Sequence, residues 1–104
     1  MKQRVRVASL DEIPADSGVE ITVAGRVIAV FHVAGKYYAI DGICAHAGGP
    51  VGKGELHGCI VTCPWHGWQY DVSNGRHCLT NNISQQSFPT SVEGDDLYVE
   101  FPPS

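Results

Sequence analysis

The segment Cys63-Pro64-Trp65-His66-Gly67-Trp68-Gln69-Tyr70, CPWHGWQY, decides how the rest of this chain is read. It sets a thiol and an imidazole three residues apart, in a stretch whose Pro64 and Gly67 favour a turn. Such a pair suits a metal, or a dyad in which the imidazole activates the thiol. Nineteen residues before Cys63 stands a companion, Cys44-Ala45-His46-Ala47-Gly48-Gly49. The joint pattern is C-x-H, sixteen residues, then C-x-x-H. Each half offers one thiolate and one imidazole from a glycine-rich turn.

Three chemistries use such a set. Tetrahedral zinc accepts two Cys and two His, but structural zinc sites usually pair Cys with Cys and His with His. A Cys/His dyad explains one half, not two. A [2Fe–2S] centre in which two His replace two Cys on one iron needs this set of four from two opposed loops. If each loop sets Cys deep and His shallow, both thiolates reach one iron and both imidazoles the other.

Around these loops the chain reads as short strands. Arg4 to Ala8 alternates charged and apolar residues, and Ser9-Leu10-Asp11-Glu12 has capping-box spacing for one helical turn, stopped by Pro14. Glu20–Ala24 and Arg26–Val33 are β-rich runs split by Gly25, and Ala34-Gly35 makes a hairpin into Lys36–Ile40. Asp41 to Gly58, with six glycines and Pro50, reads as loop. Strand character returns over Gly58–Cys63 and Trp68–Val72, followed by a hairpin signal at Ser73-Asn74-Gly75. Thr90–Glu93, a turn at Gly94-Asp95 and Leu97–Phe101 close the chain. No segment shows a helix-length period, so eight to ten short strands in a sandwich or small barrel are expected.

The chain has 104 residues, which is one domain, and a formal net charge of −4 gives no basic footprint for nucleic acid. The basic N-terminal residues precede no apolar segment of signal-peptide type, and the longest apolar run, Val27–Phe31, is far too short for a membrane span. A soluble, cytoplasmic protein is therefore expected. In that setting the cysteines Cys44, Cys59, Cys63 and Cys78 are read as metal ligands or packing residues before disulfides.

CAHAGG together with CPWHGWQYD resembles the Rieske iron–sulfur family, over essentially the whole chain. The resemblance implies an all-β antiparallel sandwich with a small cluster-binding subdomain of two Gly-rich loops. The base would be residues 1–42 and 72–104, and the cluster-binding part residues 43–71. It implies one [2Fe–2S] cluster per chain, with Cys44 and Cys63 on the inner iron and His46 and His66 on the outer. It also implies a one-electron carrier, a Rieske-type ferredoxin between a flavin-dependent reductase and a terminal oxygenase, and not itself an enzyme. The small subunit of an assimilatory nitrite reductase is the alternative, and a zinc-binding, non-redox module a more distant one.

Departures from the respiratory members of the family refine this expectation. Those proteins carry a disulfide between the two loops, where this chain has Gly49 and Trp65. They place a serine donor where Trp68 stands here, while Tyr70 keeps the place of a tyrosine donor. Fewer donors to the cluster mean less stabilisation of an added electron, so a low potential is expected, toward roughly −150 mV. Gly48, Gly49 and Gly67 leave room for backbone N–H groups to face the cluster, while Trp65 and Trp68 read either as shields against water or as core packing alone. His32, His57 and His77 read as ordinary side chains, Cys59 as a packing residue, and Cys78 as an unactivated thiol. The acidic group Glu93, Asp95, Asp96 and Glu100 reads as a solvated turn.

Overall fold

The computed structural model describes residues 3–23, 25–42, 51–64, 69–76, 78 and 86–101, and these form ten strands. They are β1 (Gln3–Ser9), β2 (Ser17–Val23), β3 (Arg26–Val33), β4 (Lys36–Asp41), β5 (Glu55–His57), β6 (Ile60–Thr62), β7 (Gln69–Asp71), β8 (Ser87–Phe88), β9 (Thr90–Glu93) and β10 (Asp96–Phe101). Two single 3₁₀ turns, Leu10–Glu12 and Val51–Lys53, are the only helical segments among the described residues. All strand pairs are antiparallel, in three sheets ordered β1-β10-β9, β2-β3-β4-β8 and β5-β6-β7.

The run VIAVFHV in β3 lacks the alternation of a strand with one wet face, and the packing supplies the reason. Ile28 and Val30 point into one core with Ala8, Ile13, Ala39, Phe88, Leu97, Val99 and Phe101. Ala29, Phe31 and Val33 point into a second core with Ile40, Val61, Cys63, Tyr70 and Val72. Successive side chains of a strand leave on opposite faces, so the two cores lie on opposite sides of β3. The central sheet is thus covered on one face by the β1-β10-β9 sheet and on the other by the β5-β6-β7 sheet. A strand buried on both faces reads as a continuous apolar run. Complete burial of a side chain such as Phe31 contributes about 2–3 kcal/mol.

Local chemistry sets the joints. Ala34 and Gly35 turn β3 into β4 with φ of 51° and 78°, two successive left-handed residues as a type I′ turn needs. The amide of Ser9 donates to Glu12 Oε2 at 2.8 Å, one half of the capping box, and the Leu10 amide donates to the Asp95 carbonyl at 2.8 Å. Arg4 and Arg6 reach across to Glu93 (2.7 Å) and Asp96 (2.9 Å). Two of the four acidic residues near the β9–β10 turn are therefore already paired, although exposed pairs of this kind contribute only about 0–1 kcal/mol.

Two expectations need correction, and one strand goes unannounced in the sequence. Asp41–Gly58 is not loop throughout, because Glu55–His57 pairs with Ile60–Thr62 as β5. Only Leu56 of that strand packs inward, too little for a visible pattern. β2 begins at Ser17 rather than Glu20. Gly18 hides its start, since it brings no side chain; the Phe31 ring covers it instead, close enough that a methyl there would stand 2.5 Å from the ring. β8 had no sequence signal, being two residues held to β4. Among the described residues, no helix is long and apolar enough to cross a membrane.

Candidate metal centre

The second loop is launched by a short, tightly specified ladder. β5 pairs with β6 through Glu55↔Thr62, Leu56↔Val61 and His57↔Ile60, and β6 with β7 through Ile60↔Asp71, Val61↔Tyr70 and Thr62↔Gln69. Cys63 follows β6 directly. Period-2 geometry puts its side chain on the face of Val61, toward the core and away from water. It has no exposed surface, and neither has Tyr70, which belongs to the same core. Pro64, next in the chain, is exposed, so the backbone passes from interior to surface within one residue.

The far side of β7 is pinned by its own turn. Asp71 Oδ1 accepts from the Ser73 amide (2.9 Å) and hydroxyl (2.6 Å), and its carbonyl accepts from the Gly75 amide at 2.7 Å. The Asp71 amide donates to the Arg76 carbonyl at 2.8 Å, and the Cys78 amide to the Gln69 carbonyl at 2.9 Å. The strand before the loop and the strand after it are therefore both braced.

The first loop is held at its two described flanks. At one flank the Gly42 amide donates to the Val27 carbonyl at 3.0 Å, and a methyl on Gly42 would stand 2.8 Å from the Val27 side chain. At the other, Gly52 lies on β2, where a methyl would come within 3.0–3.1 Å of the Val19 carbonyl oxygen and the Glu20 backbone.

Of the four expected ligands, Cys63 is described. Cys44, His46 and His66 lie outside the described residues, as do Gly48, Gly49, Gly67, Trp65, Trp68 and His77. The remaining histidines have other occupations. His32 Nδ1 donates to the Ile13 carbonyl at 2.9 Å while its ring stacks on Tyr37 at 4.3 Å. His57 Nε2 meets Glu55 Oε1 at 2.8 Å on the surface. Cys59 packs half-buried against the core that holds Cys63. Cys78 is exposed; partial desolvation and, second, the Asp71 carboxylate push its thiol above the ordinary value. Among the described residues, no three His, Cys, Asp or Glu side chains gather as a metal-holding group.

What is described fits an iron–sulfur ligand. A fully buried thiol at the end of a strand, beside a buried tyrosine, offers a soft donor in a dry setting. The Rieske [2Fe-2S] domain model matches residues 3–90, most of the chain. The chain belongs to the Rieske family. Its Rieske domain implies a [2Fe–2S] cluster. Among curated relatives, the ferredoxin component of the naphthalene 1,2-dioxygenase system of Pseudomonas aeruginosa is 31% identical over 92% of this chain and 93% of its own. Among solved structures, the ferredoxin of carbazole 1,9a-dioxygenase from Nocardioides aromaticivorans IC177 is 27% identical, with a TM-score of 0.86 over 93% of this chain and 96% of that one. A Mycobacterium tuberculosis chain assigned as the small subunit of an NADH-dependent nitrite reductase shares the fold at a TM-score of 0.90, covering 100% of this chain and 99% of that one, at 15% identity. The likeness to the ferredoxins is thus one of fold and sequence together, whereas the last is one of fold alone. Ferredoxin components of dioxygenase systems carry electrons rather than transform substrate.

Sequence reasoning passed over Gly54. In the sequence it is one of the six glycines from Asp41 to Gly58 and carries no signal of its own. Its surroundings become legible only from the pairing of β5 with β6, whose register, carried back by one residue, sets position 54 across from Cys63.

Proposed function

We propose that this Rieske protein is the ferredoxin component of an oxygenase system, taking one electron from a flavin-dependent reductase and passing it to a terminal oxygenase. The observation that carries this reading is the ferredoxin relative matched over 92% of this chain and 93% of its own, so likeness spans the whole carrier. The cluster, when bound, takes up and returns a single electron. Cys44 and Cys63 would hold one iron and His46 and His66 the other, at one cluster per chain. The buried seat of Cys63 excludes water from the thiolate side, so exchange with a partner would occur at the histidine side.

The division of labour would run along the sheets. Residues 43–71 would form the cluster-binding part, and residues 1–42 and 72–104 the base that carries it. The potential would be low for the family, since Trp68 stands where a hydroxyl donor would raise it. The cytoplasm, where such reductases would meet it, is the expected compartment.

Purified protein should be red-brown and give the EPR signal of a reduced [2Fe–2S] centre after dithionite. It should also support turnover of a Rieske oxygenase when mixed with a flavin reductase. A colourless protein containing zinc would end the electron-transfer reading. A coloured protein that supports nitrite reduction but no oxygenase would shift it to the nitrite reductase alternative.

A further inference from the structure

Position 54 is where β5 leaves its ladder. The pairings Glu55↔Thr62 and Leu56↔Val61, carried back by one residue, set Gly54 across from Cys63. The backbone bends there and closes over β6 so tightly that a methyl on Gly54 would overlap the Thr62 carbonyl oxygen. The same methyl would stand 3.0 Å from the Thr62 carbonyl carbon and 3.0 Å from the Val61 side chain. Two of these three atoms are backbone of the residue just before Cys63, and a backbone cannot step aside as a flexible side chain can. Two residues away, Gly52 is seated on β2 at 3.0–3.1 Å. The 3₁₀ turn that contains it, Val51–Lys53, thus joins the central sheet to the β5–β6 ladder that leads into Cys63.

From this we infer that Gly54 is a positioning residue for the redox centre, fixing where Thr62 delivers the Cys63 sulfur, with Gly52 seating the same brace on the central sheet. The inference depends on Cys63 being a ligand, as proposed above. A side chain at 54 pushes β6 outward at its cysteine end and moves the sulfur relative to the first loop. The consequence falls on the geometry of the centre, because the tolerance of a metal site for ligand displacement is a few tenths of an ångström.

The test compares Gly54→Ala with Gly18→Ala, which crowds the Phe31 ring in the central sheet. Both should lower the unfolding midpoint. Only Gly54→Ala should also change the visible circular dichroism, shift the EPR g values and move the midpoint potential. Gly52→Ala, whose contacts are milder, should give smaller changes of the same kind and serves if Gly54→Ala does not fold. If the glycine variants at 52 and 54 lose stability but keep the parent spectrum and potential, both residues are packing alone and the inference is overturned. Cys63→Ser, measured alongside, separates the two readings. If it keeps the parent spectrum, the ligand assignment has failed; if it loses the centre while the glycine variants leave it unchanged, only the positioning role has failed.

Discussion

Val61 and Tyr70 face each other across β6 and β7, and that pairing puts the Tyr70 ring on the same buried face as Cys63. Cys63 lies two residues beyond Val61, a diagonal neighbour of Tyr70, within the reach of an aromatic side chain. A phenolic hydroxyl donating toward the thiolate favours the reduced, more negative centre and raises its potential. Tyr70→Phe keeps the packing volume and removes only the donor. The expected outcome is an intact visible spectrum with a midpoint potential lower by about 40 mV, which is about 1 kcal/mol for one electron. Potentiometry of the two proteins decides it, and an unchanged potential would make Tyr70 a packing residue only.

The ligand set makes a sharper demand. Cys63→Ser replaces the soft donor with a hard one in a fully buried place and should leave protein without a stable centre. Because assembly of such a site is coupled to the folding of its loops, the unfolding midpoint should fall by roughly 10 °C or more. His66→Cys should instead keep iron but move the visible spectrum toward that of an all-thiolate cluster. Iron and sulfide analysis with absorption spectra checks both.

Much of this protein is legible in its sequence, and the parts that are not share a cause. CAHAGG and CPWHGWQY are local patterns in which chemistry is written as residue type and spacing, so the family could be read directly. Strands such as β3 and β10 declare themselves through long apolar or alternating runs. β5 and β8 do not, because three and two residues are too few to show a period, and both exist only through their partners. Gly54 is the same case at a single position. Its requirement comes from Thr62, which is distant in sequence but adjacent in the ladder.

The β3–β4 turn offers a stability prediction that leaves the centre alone. Ala34 sits at φ 51°, in a left-handed conformation that costs an alanine about 1 kcal/mol or more. Asparagine tolerates that conformation better and is favoured ahead of glycine in type I′ turns. Ala34→Asn should therefore stabilise the fold by about 0.5–1 kcal/mol and raise the thermal midpoint by roughly 2–6 °C. Spectrum and potential should stay at parent values. Differential scanning calorimetry gives the result, and a lowered midpoint would mean that the turn is not of this type.

Cys78 supplies the pH dependence. Its thiol is held above the ordinary value by partial desolvation first and by the Asp71 carboxylate second, although most of the residue faces solvent. In the unfolded chain the same thiol loses its proton at lower pH. The folded state is therefore favoured below the ordinary thiol value, and that advantage is lost as pH rises from there through the folded one. Reactivity should follow the same order, because the thiolate is the nucleophile. Near pH 8, iodoacetamide should modify Cys78 more slowly than free cysteine, with the rate still climbing at higher pH. Asp71→Asn keeps the oxygen that accepts from Ser73 but removes the charge, and should speed the reaction at pH 8. Peptide mass mapping of alkylated Cys78 over time measures this, and a rate equal to that of free cysteine would show that its surroundings do not hold the proton on.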